Sequence, residues 1–177
     1  MTFSYKNTSV HYNSIGTGRA IVLLHGFLEN SSMWDVISES LSKKHRVVCI
    51  DLLGHGATEN HGYIHTMQEQ AEMVVAVLKY LRLRKYIIVG HSMGGYVALQ
   101  LADLYPQNIK GLCLMNSTAL PDSAEKKINR DRGIKAVKHN KRTFIKVAIP
   151  NLFSEKNKSI FRKEIAEIIE EGKNMKN

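Results

Sequence analysis

The residues best suited to chemistry in this chain are Gly90-His91-Ser92-Met93-Gly94-Gly95. A serine hydroxyl is a weak nucleophile, and it attacks a carbonyl only when it is held where a base and the carbonyl can both reach it. The flanking sequence supplies a holder. Tyr86 to Val89 is a short apolar run with three β-branched members, which reads as a buried strand. Tyr96, Val97, Ala98, Leu99, Leu101 and Ala102 begin a helix-like run. A sharp strand-to-helix turn lifts the Ser92 hydroxyl clear of the sheet edge. The same turn strains the backbone and crowds its neighbours, so Gly90 and Gly94 must lack side chains. A helix starting at Met93 aims free N–H groups and a partial positive charge at the site, which suits a developing oxyanion. The blander reading is a glycine-rich connection with an incidental serine, and the strand before and the helix after weigh against it.

The rest of the chain must place that turn. Its 177 residues suit one folding unit with a real core, since 44% are apolar. Met1 to Val10 is polar and has no apolar segment of the kind that marks a signal peptide. No apolar run approaches the roughly 20 residues that a membrane helix needs. Cys49 and Cys113 each lie in an apolar, strand-like run and read as reduced core residues, so a cytoplasmic setting is expected. The net charge is +9, and residues 121–177 carry most of it, with 15 basic against 8 acidic residues. This reads as a solvated helical surface. No motif points to a nucleic acid.

Thr8 to Ile15 alternates as a strand, followed by a turn at Gly16-Thr17-Gly18. Ala20 to Leu24 is a buried strand running into His25-Gly26-Phe27. Ser31 or Ser32 can cap a helix over residues 33–41. Arg46 to Ile50 is another buried strand, with Asp51-Leu52-Leu53-Gly54-His55-Gly56 after it. Residues 67–81 form a helix with Ala71, Val74, Val75, Leu78 and Leu81 on one face. Ile109 to Met115 is one more strand. The alternation predicts an α/β fold: a mostly parallel sheet with helices on both faces, occupying residues 1–120. Residues 121–177 read as consecutive amphipathic helices, the second stopped by Pro150.

Three motifs in this order and spacing, His25-Gly26-Phe27, Asp51-Leu52-Leu53-Gly54-His55-Gly56 and Gly90-His91-Ser92-Met93-Gly94-Gly95, together cover residues 20–116. The chain thereby resembles the N-terminal two-thirds of an α/β-hydrolase fold protein, closest to the small esterase, C–C hydrolase and haloperoxidase-like branch. The resemblance implies that Ser92 is the nucleophile and that the backbone N–H groups of Phe27 and Met93 form the oxyanion hole. It implies that His25 pins the oxyanion loop, that His55 is structural, and that Asp51 anchors a loop. His91 reads as a packing or hydrogen-bonding residue directed away from the site. His61 and His65 lie in a polar loop that could line a pocket mouth, and no partner ligand nearby makes them a metal site. The resemblance also implies that residues 121–177 are a cap over the site.

The family order places an acid and then a base histidine after the serine. After Ser92 the only histidine is His139, in a basic stretch with no strand before it, and Asp122 is a weak candidate acid. The sequence therefore reads as a fold incomplete at its C-terminal side, without the two strands that carry acid and base. The expected activity is hydrolysis of a carboxylic ester or related small acyl substrate through an acyl-Ser92 intermediate. No cofactor is implied, because serine, base and backbone donors suffice. The alternative is an inactive remnant acting as a binding or dimerisation module. An open sheet edge predicts self-association, with no membrane partner. Size-exclusion chromatography with light scattering is expected to give a dimer or larger, and a monomer at high concentration would count against it.

Overall fold

The computed structural model describes residues 1–174. Six strands form one sheet: β1 (Thr2–Tyr5), β2 (Thr8–Ile15), β3 (Ala20–Leu24), β4 (Arg46–Ile50), β5 (Tyr86–His91) and β6 (Ile109–Met115), in the order β1-β2-β4-β3-β5-β6. β4, β3, β5 and β6 are mutually parallel, while β1 and β2 add an antiparallel flank. β1 is not foreseen above. It is joined to β2 through Lys6 and Asn7, both at positive φ (47° and 65°). Two consecutive left-handed residues match the right-handed twist of a two-residue hairpin.

The strand period sorts side chains to two faces. From β3, Ala20, Val22 and Leu24 enter a core built with α2 (Met67–Tyr80) and α3 (Met93–Leu104). Ile21 and Leu23 point the other way and pack with Val47, Cys49 and Trp34. Leu41 from α1 (Asp35–Ser42) closes that second core. Helices thus cover both faces, and β3 is buried along its whole length.

Local signals set the element ends. Residues 31–34 form a single 3₁₀ turn before α1, and its cap is Asn30, whose side chain accepts from the Ser32 amide. The Ser31 or Ser32 cap is thereby corrected: an Asn one residue earlier reaches the same free donors. α2 opens on a capping box, Thr66 and Glu69 each taking the other's amide. Cys49 lies in the core, and burial pushes its thiol up to about 12. Cys113 does not lie in the core. It is exposed, because β6 is an edge strand of the sheet and is open on both faces, with Leu112 and Met115, on opposite faces, each 40% exposed.

The backbone divides into two compact units, Met1–Ala119 and the part from Leu120 onward. The second is helical: α4 (Ala124–Ala148), α5 (Glu155–Ile160) and α6 (Arg162–Asn174). α4 is broken at Asn140 (φ −155°, ψ 92°), whose side chain caps the next turn by accepting from the Thr143 amide. The two helical pieces read from the sequence are its two halves. Among the described residues no helix is long and apolar enough to cross a membrane.

Trp34 fills the smaller core at 1% exposure. Its replacement by Ala is expected to cost about 3–5 kcal/mol of stability in urea unfolding. Val36→Ala, two residues on and 82% exposed, should stay within about 0.5 kcal/mol.

Candidate active site

The turn between β5 and α3 holds Ser92 at φ 48°, ψ −113°, a conformation that a residue with a side chain occupies only under compulsion. Three hydrogen bonds to its backbone hold it there, two with main chain and one with a side chain. The Ser92 amide donates to Met115 O (3.0 Å), and its carbonyl accepts from the Gly95 amide (3.0 Å) and from Ser117 Oγ (2.8 Å). Close packing explains the glycines. A Cβ on Gly90 would lie 2.3 Å from Gly94 O, and one on Gly94 would lie 2.4 Å from Leu24 O. Gly94 therefore lets α3 press directly on the end of β3. Ser92 is half-buried, and among the described residues its hydroxyl has no hydrogen-bond partner. Met93 is the first residue of α3, so its amide has no acceptor within the helix.

The loop after β3 lies against this turn. A Cβ on Gly26 would lie 3.1 Å from Ser92 Cβ. Residues 26–29 form a tight turn in which the Glu29 amide donates to Gly26 O (3.3 Å), with Leu28 at φ 64°. Phe27 is the second residue of that turn, and the turn's own bond leaves its amide unused. Gly26 O also accepts from His25 Nδ1 (2.7 Å), and His25 Nε2 accepts from the Leu52 amide (2.9 Å). Those two bonds make His25 the neutral Nδ1–H tautomer, and burial lowers its pKa in the same sense. The consequence reaches Phe27. The Gly26–Phe27 peptide is planar, so fixing its carbonyl fixes the opposed Phe27 N–H.

Asp51 gathers the neighbouring segments. Its carboxylate accepts from the Ser31 amide (2.7 Å), the Ala57 amide (2.8 Å) and His11 Nδ1 (3.1 Å). His55 donates through Nδ1 to Leu53 O (3.0 Å) and lies edge-on to the half-exposed Phe27 ring, with centroids 5.8 Å apart. Among the described residues its Nε2 is buried without a hydrogen-bond partner. His61 Nδ1 lies 2.6 Å from Thr8 Oγ1, and His65 Nε2 accepts from the His61 amide (3.1 Å), so both serve to brace their loop.

Two residues of this site are missed by the sequence reading. Ser117 holds the Ser92 carbonyl. Glu29 accepts from the Gly26 amide (2.5 Å) and from His91 Nδ1 (2.8 Å), which gives His91 its hydrogen-bonding role. Neither belongs to a motif, although Ser117 follows β6 at the level of the turn. The candidate acid and base lie in the second unit. Asp122 is paired with Arg130, which holds its carboxyl below the usual range. His139 is exposed on α4.

Residues 19–154 match the model of a family described as the alpha/beta hydrolase fold. The chain belongs to that family. This α/β-hydrolase is 34% identical over 110 residues to a pimeloyl-[acyl-carrier protein] methyl ester esterase of Nitrosomonas europaea, covering 62% of the present chain and 42% of that protein. Among solved structures, it is 29% identical to a thermophilic esterase from Thermogutta terrifontis, with a TM-score of 0.87 over 98% of this chain and 65% of the other. An enol-lactonase from Burkholderia xenovorans, 24% identical, shares the fold with a TM-score of 0.88 over 99% of this chain and 68% of the other. The chain spans less than half the length, 29–45%, of the first curated relatives it matches.

Burial, with the neighbouring His25 ring second, pushes the His55 imidazole down from 6.5 to about 4. The folded protein then binds fewer protons than the unfolded chain between those values. Stability from this residue is complete above about pH 6.5 and falls by about 3 kcal/mol as the pH drops through 4. Urea midpoints followed from pH 7 to 4 should fall. His55→Asn, which keeps an N–H donor for Leu53 O but does not titrate, should flatten that slope.

Proposed function

We propose that this chain carries the nucleophile and oxyanion hole of a serine hydrolase acting on a carboxylic ester or related small acyl substrate. The observation that supports this most is the strained backbone of Ser92 at the β5–α3 junction, beside the loop that bears Phe27. Ser92 Oγ attacks the acyl carbon, and the amides of Phe27 and Met93 donate to the oxygen that gains charge. The alcohol leaves, and water later releases the acyl group from Ser92. The esterases among its relatives favour an ester over other acyl compounds.

One observation favours a second reading. Among the described residues no histidine hydrogen-bonds the Ser92 hydroxyl. On that reading the chain by itself binds acyl compounds and turns them over slowly, since a triad without its base retains only the catalysis due to binding and the oxyanion hole.

Two measurements test these roles. A fluorophosphonate probe should label the wild-type chain and leave Ser92→Ala unlabelled. With p-nitrophenyl acetate, Phe27→Pro removes the proposed donor while suiting the second position of the turn, so its rate should fall about 10²–10³-fold. Phe27→Leu keeps the N–H and should stay near wild type. Equal rates for the two variants would reject the oxyanion assignment.

A further inference from the structure

Glu29 lies in a loop that no motif covers, yet its carboxylate joins two segments on which the site depends. One oxygen, Oε2, accepts both from the Gly26 amide (2.5 Å) and from His91 Nδ1 (2.8 Å). Gly26 opens the turn that carries Phe27, and His91 directly precedes Ser92. The carboxylate and the imidazole are each only about one-fifth exposed, at 22% and 19%, so both bonds form largely out of water and are stronger for it. Space around the tie is already filled: a Cβ on Gly26 would lie 2.6 Å from Glu29 Oε2 and 3.0 Å from His91 Nδ1.

From this geometry we infer that Glu29 is a positioning residue, which ties the Phe27 loop to the Ser92 turn and so sets the distance between oxyanion donor and nucleophile. The inference rests on the proposed serine hydrolase reading. Its physical basis is the peptide plane. His25 and the Glu29 amide fix the carbonyl of Gly26, and the Glu29 carboxylate fixes the N–H of the same residue. Both peptide groups flanking the Gly26 Cα are then held, and the Phe27 N–H has no freedom to swing. Leu28 supplies a reason for a strong tie. At φ 64° it is strained, and without the carboxylate the turn can relax by returning Leu28 to negative φ. The tie reaches the serine through His91, whose Nδ1 proton is held on the side of Glu29.

The test compares Glu29→Ala and Glu29→Gln in the full chain. In nitrogen-15 NMR, wild-type His91 should be the Nδ1–H tautomer, and Glu29→Ala should shift it towards Nε2–H. With p-nitrophenyl acetate, Glu29→Ala should lower kcat about 10–100-fold and leave KM within about twofold, because the oxyanion contact is made only in the transition state. Glu29→Gln, whose amide oxygen still accepts from Gly26, should recover kcat to within about threefold of wild type. An unchanged His91 tautomer, an unchanged kcat or a loss confined to KM would overturn the inference. A wild-type chain that neither turns over ester nor is labelled at Ser92 would instead overturn the hydrolase reading, and the tautomer would still decide the tie.

Discussion

The constraint beneath this structure is a near-collision of backbones where β5 turns into α3. Gly94 rests against the carbonyl at the end of β3, and Gly90 rests against Gly94, at separations that leave no room for a methyl group. That closeness forces Ser92 into its left-handed conformation. It also brings the loop after β3 within van der Waals reach of the serine. The sheet order follows the same requirement, because β3 and β5 must be neighbours for their C-terminal ends to meet. The two cores hold that pair from opposite faces.

A second layer of organisation is polar, and it converts buried donors into fixed directions. His25 links the Gly26 carbonyl to the Leu52 amide, so the loops after β3 and β4 are tied to each other. Asp51 does the same for three segments with a single carboxylate. Buried groups of this kind stay neutral or fully paired because an unpartnered charge there is costly. Among the described residues four buried polar atoms have no hydrogen-bond partner, Tyr5 Oη, Trp34 Nε1, His45 Nδ1 and His55 Nε2, and the last lies next to Phe27.

Much of this was readable in the sequence, for a definite reason. Strand β2 declares itself by alternation, β3 to β6 by short apolar runs, α2 and α3 by apolar helical runs, and the glycines at 90 and 94 by the space they must vacate. Other parts were silent. β1 is four residues long, and its signal lay in Lys6-Asn7 rather than in hydrophobicity. Cys113 has the same apolar surroundings as Cys49, and only strand order separates edge from centre. Glu29 and Ser117 act through long-range bonds that one chain's local pattern does not encode. The pairing of the weak candidate acid was not legible either. Asp122 is engaged by Arg130, a pairing eight residues apart that a turn-by-turn reading passes over.

The proposed donors at residues 27 and 93 are main-chain groups. The side chains attached to them are therefore spared from the reaction, and Phe27 in particular stands half in solvent beside the His55 ring. On the proposed reading, a substitution at residue 27 changes the ring beside His55 while the amide keeps its place. The proposed donor at residue 27 thus belongs to a peptide bond, which every substitution but proline preserves.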